Sequence, residues 1–339
     1  MHMADALVSP AVGGTMWAVT GGLIAFSARH LKAELDERKV PLMGVLGAFI
    51  FSAQMINFSI PGTGSSGHLG GGMILSILLG PHAAFLTIAS VVTVQALFFA
   101  DGGLLALGCN IFNMGFFPCF IAYPFIYKKV VGAHATQGRI LTGAILSALF
   151  GLQLGAFSVV LETRCSHVSE LPFSLFVVLM QPIHLAIGFV EGLVTSAVVT
   201  TVWKARPELI DTVASGQPMG SFPTKKLVVG LALVTLLTGG VFSWFASSHP
   251  DGLEWAMLHT SGKEAIDGPA DSAHDAAGKI QEKTAILPDY EFKTGTGGEE
   301  SEELFGTSVA GLAGAVITLV LVGVTGLVLR ARVDRKPKP

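Results

Sequence analysis

The sequence predicts an all-α polytopic membrane protein with about nine transmembrane helices, arranged as seven plus two. Apolar residues make up 51% of the 339 residues and charged residues only 13%, whereas a soluble domain usually carries about 25% charge. Apolar stretches near the ~20 residues that cross a bilayer recur along the chain. The 41 glycines suit the close approach of helices in lipid. We therefore expect lipid, more than water, to solvate this chain.

Nine stretches of the chain are predicted to be membrane segments. They are residues 11–28, 41–57, 68–80, 81–100, 108–127, 140–160, 173–203, 227–247 and 307–329. The third segment is the exception, because it has only thirteen residues, is rich in glycine and ends before Pro81. Two alternatives stay open for it, a full span and a broken or half-spanning segment. A broken segment is tolerated only where protein or a cavity covers its backbone.

The distribution of basic residues supports this count. Sixteen of the 21 Lys and Arg residues lie in four clusters, within 29–39, 128–139, 204–226 and 330–338. Nine spans with the N-terminus outside place all four clusters in the cytoplasm, as the positive-inside rule requires. Eight spans would place the last three clusters outside. The sequence therefore predicts an outer N-terminus and a cytoplasmic C-terminus.

Composition also divides the chain. The proline-containing stretch 204–226 is typical of a linker between membrane domains. The outer segment 248–306 carries thirteen Asp and Glu residues against four Lys, which favours a solvated loop over a compact core. The predicted division is a seven-helix membrane domain, a cytoplasmic linker and a two-helix companion domain, at 1–205, 206–226 and 227–339.

The N-terminal dipeptide Met1-His2 is the first candidate metal site. A free α-amine, the backbone nitrogen of residue 2 and the Nδ1 of a histidine there can form two fused chelate rings on one metal. Such a plane of nitrogens favours Ni(II) or Cu(II). Because no basic residue precedes Arg29, the start lacks the form of a secretory signal, and we expect residues 1–10 to persist in the mature protein. The alternative is an exposed, frayed terminus.

The second candidate lies in the predicted outer loop that leads into the third segment. Six of the fourteen residues 59–72 are glycine, which lets backbone segments approach closely, and His68 stands among them. A histidine at the start of a membrane segment usually faces a cavity or a polar partner. His68 can therefore supply the fourth nitrogen of the plane. The alternative is a histidine that only hydrogen-bonds within the loop.

Two other functions stay open on these residues. Gly64-Ser65-Ser66-Gly67 matches the G-x-S-G pattern of rhomboid-type intramembrane serine proteases, with His184 as the candidate base, although so short a pattern arises easily by chance in a glycine-rich loop. A stand-alone metal permease is the other alternative. The paired carboxylates of a proton-coupled carrier are not evident, since Glu191 is the single carboxylate within the predicted spans.

Further polar residues are candidates to support a bound cation or to line its route. They are Asn57, Ser65, Ser66, Asp101, His184 and Glu191. Hydrogen bonding between helices is the alternative reading of polar residues inside the spans, including Asn110 and Asn113, which share a helix face. The outer histidine His274 is expected to be solvated.

Four stretches of the N-terminal part resemble a known family. They are Met1-His2-Met3-Ala4-Asp5-Ala6, the loop 61–72, Leu78-Leu79-Gly80-Pro81, and the stretch 184–192 that runs from His184 to Gly192. They are similar to the CbiM/NikM family, the substrate-capture components of energy-coupling-factor (ECF) transporters for nickel and cobalt. The stretches 250–255 and 287–292 resemble motifs of the companion subunit CbiN/NikN. The chain thus resembles a NikMN-type fusion.

The resemblance implies a transport component of a bacterial or archaeal cytoplasmic membrane. Its transported substrate would be Ni²⁺ or Co²⁺, held by the Met1 amine, the backbone and ring nitrogens of His2, and His68. The implied partners are a transmembrane coupling (T) subunit and a pair of cytoplasmic ATPases. The chain itself would be no enzyme and would have no ATP site, in line with the lack of a G-x-x-x-x-G-K-[ST] motif in the sequence. No nucleic-acid partner is expected.

Overall fold

The structure, a computed structural model, describes residues 2–34, 38–217, 224–292 and 300–334. In chain order its helices are α1 (Pro10–Glu34), α2 (Lys39–Gln54), α3 (Gly72–Leu79), α4 (Pro81–Phe99), α5 (Leu107–Val131), α6 (Gln137–Ser166), α7 (Phe173–Ala205), α8 (Pro207–Ser215), α9 (Lys225–Gly240), α10 (Gly252–Ser261), α11 (Ser272–Thr284) and α12 (Glu300–Asp334). Strands β1 (Phe58–Ile60) and β2 (Ser65–Gly67) form an antiparallel hairpin. The predicted all-α polytopic membrane class is confirmed.

Six helices of the described ranges are long and apolar enough to cross a membrane, namely α1, α4, α5, α6, α7 and α12. Their outward faces carry large apolar side chains, such as Phe150 at 48% exposure, Leu185 at 52% and Leu327 at 57%. So large an apolar surface marks contact with lipid or protein. Helices α2 and α9 have sixteen residues each, fewer than the ~20 of a typical span. The count of nine and the outer N-terminus stay predictions.

The third predicted segment is a broken one. Helix α3 has eight residues, about 12 Å at 1.5 Å per residue, and cannot alone cross a hydrocarbon core of about 30 Å. The β1–β2 hairpin and an extended stretch precede it, and Pro81 begins α4 directly after it. Protein covers the irregular backbone, because Glu191 of α7 accepts the N–H groups of Gly70 at 3.0 Å and Gly71 at 3.1 Å. This is the condition under which non-helical backbone is tolerated in a membrane.

Helix α2 lies at the centre of the bundle. Fifteen of its sixteen residues are buried, and α4, α9 and α12 pack around it. Glycines allow the close approach: Gly47 faces Thr87 of α4 and Val322 of α12, and Gly314 of α12 lies directly against the Phe51 ring. Small residues at such contacts are typical of helix packing in lipid. The two C-terminal helices are thus packed into the same bundle as the N-terminal ones.

Two predicted loops are partly helical. Helix α6 continues to Ser166, six residues beyond the predicted end of its segment. Within the predicted linker, α8 buries Leu209, Ile210 and Val213. It packs on α3 and α7, so this stretch closes one end of the bundle beside the short helix.

The prediction of a solvated loop at 248–306 is wrong for the residues that the structure describes there. Helices α10 and α11 and a 3-10 turn at Pro288–Tyr290 fold against the N-terminal part. On α10, Leu253, Ala256 and Met257 are buried, because residues three and four apart share one helix face. Of the acidic run 299–303, Glu299 and the four following side chains lie outside the described residues.

Candidate metal-binding site

The chain is held in place immediately after its first residue. The N–H of Met3 donates to Asn110 Oδ1 at 2.7 Å, and the Met3 carbonyl accepts from Asn110 Nδ2 at 3.0 Å and from Gly103 N–H at 2.9 Å. The Met3 side chain is fully buried. From His2 onward the start is therefore not frayed, and Asn110 supplies the anchor. Met1 lies outside the described residues.

The turn between α4 and α5 is shaped to receive this start. Asp5 accepts the N–H of Ala106 at 2.9 Å. Gly103 lies so close to the Asp5 carboxylate that a Cβ at this position would collide with it. Burial raises the pKa of Asp5 against the opposing backbone hydrogen bonds. The turn Asp101-Gly102-Gly103 thus holds the N-terminal residues in a groove.

His2 lies between a carboxylate and the second predicted histidine. Its Nδ1 is 3.1 Å from Asp101 Oδ1, and its ring is parallel to the His68 ring at 8°, with centroids 5.1 Å apart. The His2 side chain is 6% exposed. Burial raises the pKa of Asp101, but the His2 ring and the hydrogen bond from Tyr290 outweigh it, and the net shift is downward. The structure therefore brings His2, His68 and Asp101 together.

The orientation of the His2 ring differs from the one that the chelate requires. Nδ1, the nitrogen that can close a ring with its own backbone nitrogen, faces Asp101. Nε2 is buried and has no hydrogen-bond partner among the described residues. A chelate through Nδ1 therefore needs the ring to exchange its contact with Asp101 for the metal.

His68 donates to a backbone carbonyl and lies near a carboxylate. Its Nδ1 lies 3.1 Å from the Leu69 carbonyl, and since a carbonyl can only accept, Nδ1 carries the hydrogen and the lone pair of the neutral ring is on Nε2. Nε2 is 3.9 Å from Asp251 Oδ2. Metal-ligating histidines usually donate their other ring N–H to a carbonyl or carboxylate in this way. Asp251 was not among the predicted site residues, although its motif was recognised as a companion signature.

The stretch 250–254 of the C-terminal part closes over the glycine-rich hairpin. The Pro250 carbonyl accepts the N–H of Ser66 at 2.8 Å. Asp251 begins α10, accepting from the N–H groups of Leu253 at 2.7 Å and Glu254 at 2.9 Å. The Glu254 carboxylate in turn accepts the Asp251 N–H at 2.9 Å. This capping box fixes Asp251 in its place beside His68.

Gly252 has a steric role in this closure. A Cβ on Gly252 would lie 3.0 Å from His184 Cε1 and 3.0 Å from Ile187 Cδ1. Glycine therefore lets the first turn of α10 rest directly on α7.

A second contact region joins the C-terminal part to the start of the chain. His274 Nε2 lies 3.1 Å from the carbonyls of Asp5 and Val8, and its Nδ1 is 2.8 Å from Asp271 Oδ2. The expectation that His274 is solvated is wrong, since its side chain is 8% exposed. Asp271 is a local partner, but the Asp5 and Val8 carbonyls are 269 and 266 residues away in sequence, and nothing local to His274 indicated them.

Three further predicted residues, Asn57, Ser65 and Ser66, form hydrogen bonds away from the paired histidines. Ser65 Oγ donates to the Ser66 carbonyl at 3.1 Å and Ser66 Oγ to the His249 carbonyl at 2.7 Å, while the Asn57 carbonyl accepts the Ser247 N–H at 2.7 Å. Ser65 Oγ also lies 3.4 Å from the Pro250 carbonyl, so all three residues contact the C-terminal part.

The protease alternative requires a hydrogen bond between Ser66 and His184. Ser66 Oγ lies within hydrogen-bond distance of the His249 and Pro250 carbonyls. His184 Nδ1 lies 2.8 Å from the Met180 carbonyl. Neither set of bonds joins the serine to the histidine within the described ranges. This geometry favours the metal site over the protease site.

A narrow cavity of about 20 Å³ lies beneath His68, enough for one water-sized species. Besides His68 and Asp251, its polar lining consists of Asn113, His184 and Glu191. His184 and Glu191, both predicted candidates for a cation route, therefore lie in one cavity next to the paired histidines.

Comparison with known proteins agrees with both halves of this description. A family model for CbiM, described as the cobalt uptake substrate-specific transmembrane region, matches residues 2–209. A model described as the PDGLE domain, named for the residues found here at 250–254, matches residues 225–331.

Similar proteins include fused and single-part transporters. A protein of Archaeoglobus fulgidus, provisionally named a fused nickel transport protein, is 29% identical and covers 95% of this chain and 96% of its own length. A provisionally named metal transport protein of Haloquadratum walsbyi is 35% identical over 62% of this chain and 94% of its own. A crystal structure of a truncated transition metal transporter superposes with a TM-score of 0.54 at 28% identity, covering 60% of this chain and 99% of the other.

Proposed function

Because the chain belongs to the CbiM family and carries a PDGLE domain, we propose that it is the substrate-capture component of an ECF-type importer for Ni²⁺ or Co²⁺. The observation that carries the proposal is the pair of parallel imidazoles, His2 and His68, 5.1 Å apart between the carboxylates of Asp101 and Asp251. Neutral imidazole is a common ligand of nickel. Nearby carboxylates lower the electrostatic energy of a divalent cation.

In this proposal four nitrogens hold the cation in one plane. They are the Met1 amine, the backbone nitrogen and Nδ1 of His2, and Nε2 of His68. Binding turns the His2 ring away from Asp101. The plane favours Ni²⁺ over Zn²⁺, which prefers a tetrahedron, and it favours Ni²⁺ modestly over Co²⁺. Displacing the amide proton of His2 makes binding weaken as the pH falls.

The proposal assigns separate roles to the two parts of the chain. Residues 1–205 form the capture domain, 206–226 a cytoplasmic connection and 227–339 the companion domain. The companion domain keeps His68 and the start of the chain in place through Asp251, Tyr290 and His274. A transmembrane coupling subunit and a pair of cytoplasmic ATPases, both separate proteins, drive transport, and this chain hydrolyses no ATP.

Nickel titration of the full chain in detergent tests the proposal. Calorimetry and absorption should show one Ni²⁺ per chain, with the yellow band of a square-planar site. His68→Ala, and a variant with one residue added before Met1, should each bind at least about 100-fold more weakly, because loss of a direct ligand exceeds the 10–100-fold cost of losing a supporting partner. His259→Ala, an exposed histidine of α10, is the matched control. Nickel binding by both variants at the level of the unaltered chain would refute the assignment.

A further inference from the structure

His184 presents an unsatisfied lone pair inside the bundle. Its side chain is 1% exposed. Its Nδ1 lies 2.8 Å from the Met180 carbonyl one turn earlier on α7. Since the carbonyl can only accept, Nδ1 carries the hydrogen and the lone pair of the neutral ring is on Nε2. That Nε2 is buried and has no hydrogen-bond partner among the residues that the structure describes.

Asn113 presents a second unsatisfied acceptor. It is 2% exposed, and its Nδ2 donates to Glu162 Oε2 at 2.7 Å. The amide is thereby oriented, which leaves Oδ1 as the free acceptor. Oδ1 is buried and likewise lacks a partner in the described part of the chain. A buried polar atom left without a partner destabilises the fold, so the two unpaired atoms of His184 and Asn113 call for an explanation.

Both residues line the cavity beneath His68. Two lone pairs without a donor favour a species that carries positive charge or donates hydrogen bonds. The volume, about 20 Å³, admits one such species. The thioether residues Met73 and Met114 also line the cavity, and together with imidazole nitrogen and amide oxygen they are ligand types that transition metals accept.

We propose that this cavity is a second, transient position for the transported divalent cation, ligated by His184 Nε2 and Asn113 Oδ1 after the cation leaves His68. The inference rests on the proposed function and extends it from capture to passage. His184 donates its other ring nitrogen to a backbone carbonyl, as metal-ligating histidines usually do. It lies eleven residues from the start of α7, about 16 Å along the helix, within the predicted membrane segment 173–203.

The ligand set suits passage and not storage. Within the described residues no group of three or more His, Cys, Asp or Glu side chains could hold a metal ion. A site with one imidazole and one amide oxygen binds weakly, and a transport position must bind well enough to be entered and weakly enough to be left.

His184→Phe tests the inference, because phenylalanine keeps an aromatic ring, somewhat larger than imidazole, and removes both ring nitrogens. The matched control is His259→Phe, which removes an exposed histidine whose Nδ1 also lies 2.8 Å from the carbonyl four residues earlier. Nickel uptake is measured in cells that also make the coupling and ATPase subunits, and nickel binding on the purified full chain. We expect His184→Phe to lower uptake at least about tenfold, the low end for losing a metal-supporting group. The dissociation constant of His184→Phe for nickel should stay within about twofold of that of the unaltered chain, or about 0.4 kcal/mol. The control should match the unaltered chain in both assays.

A trapping variant provides an independent readout. Met114→His adds a ligand to the cavity lining and should raise the nickel bound per chain from one to two while lowering uptake. If the cavity holds only water, His184→Phe should take up nickel as fast as the unaltered chain. That result overturns the inference. The inference is also overturned if a folded His184→Phe variant loses nickel binding and uptake equally. If His184→Phe does not fold, Met114→His decides the question. One nickel bound per chain of Met114→His overturns the inference, and two support it. Absence of nickel binding by the unaltered chain would instead refute the proposed function.

Discussion

Tyr290 donates a hydrogen bond from its hydroxyl to Asp101 Oδ2 at 2.5 Å. The other oxygen of that carboxylate lies 3.1 Å from His2 Nδ1. The Tyr290 ring also stacks on Phe99 at the end of α4, with centroids 5.0 Å apart. A residue of the C-terminal part therefore sets the position of the carboxylate that orients the proposed ligand His2.

Asp101→Asn is expected to weaken nickel binding. Two effects oppose each other, because the carboxylate competes with the metal for His2 Nδ1 and also attracts the cation. The competing hydrogen bond contributes about 1.5–3 kcal/mol, whereas two unit charges about 4 Å apart attract each other by about 4 kcal/mol at an effective dielectric constant of 20, and a divalent cation doubles the attraction. Attraction therefore dominates, and we expect a loss of about 10–100-fold in affinity, measured by calorimetry.

Tyr290→Phe is the companion measurement. It keeps the stacking on Phe99 and removes only the hydroxyl, so the Asp101 charge stays in place with one oriented hydrogen bond fewer. The nickel affinity should fall between those of the unaltered chain and Asp101→Asn. An affinity of Asp101→Asn equal to or above that of the unaltered chain would show that competition, and not attraction, is the main role of this carboxylate.

Gly252→Ala should disturb the closure of α10 over the hairpin. The new Cβ would lie 3.0 Å from both His184 Cε1 and Ile187 Cδ1, so α10 must shift and carry Asp251 with it. Helix propensity alone favours alanine over glycine by about 1 kcal/mol, so a loss of function would be steric in origin. We expect slower nickel capture in stopped-flow absorption and faster proteolysis of the segment 251–261.

Gly278→Ala is the matched control for this substitution. Gly278 lies within α11, and apart from its chain neighbours and its own helix backbone, no atom of the described residues lies within 4 Å of a Cβ built there. This variant should capture nickel at the unaltered rate. Equal behaviour of the two alanine variants would contradict the close fit of Gly252 on α7.

Glu191→Ala should loosen the glycine-rich stretch that carries His68. The Glu191 carboxylate accepts the N–H groups of Gly70 and Gly71, and each buried N–H left without a partner costs about 1–3 kcal/mol. We expect a lower melting temperature and weaker nickel binding. Glu191→Gln keeps one acceptor oxygen and should be intermediate in both. A melting temperature of Glu191→Ala equal to that of the unaltered chain would mean that water or another group replaces the carboxylate.

The fold class and part of the candidate site could be predicted because their signals are local. Apolar stretches indicated the helices, and the predicted outer positions of His2 and His68 indicated that these two residues meet. The short length of α3 could not be predicted with certainty, since the partner that covers its approach, Glu191, is about 120 residues away.

The contribution of the C-terminal part was missed for a different reason. The acidic surplus of 248–306 favoured a solvated loop and hid the spacing of Leu253, Ala256 and Met257 on one helix face. The orientation of the His2 ring was missed as well, because it depends on the position of Asp101. Contacts across more than 180 residues, such as that of Tyr290 with Asp101, leave no periodic trace in a single sequence.

The contact between α11 and the start of the chain should weaken as the pH rises. His274 faces Asp271 and the Asp5 and Val8 carbonyls, and the Asp5 carboxylate lies near it. Burial lowers the pKa of His274, but the hydrogen bonds with Asp271 and the two carbonyls outweigh it, and the net shift is upward. A raised pKa means that the folded contact favours the protonated ring. Its stabilisation is therefore complete below about 6.5, the ordinary pKa of histidine, and is lost as the pH rises through the higher folded value.

Thermal unfolding of the full chain, with a chelator present to remove metal, checks this dependence between about pH 6 and pH 9, on either side of the ordinary histidine value. The melting temperature of the unaltered chain should fall more steeply with rising pH than that of His274→Gln, which cannot titrate. Because Asp5 and Asp271 are present in both proteins, the difference between the two slopes isolates the His274 ring. His259→Gln, which removes an exposed histidine, should keep the steeper slope. Parallel slopes for the unaltered chain and His274→Gln would show that the charge on His274 does not stabilise this contact.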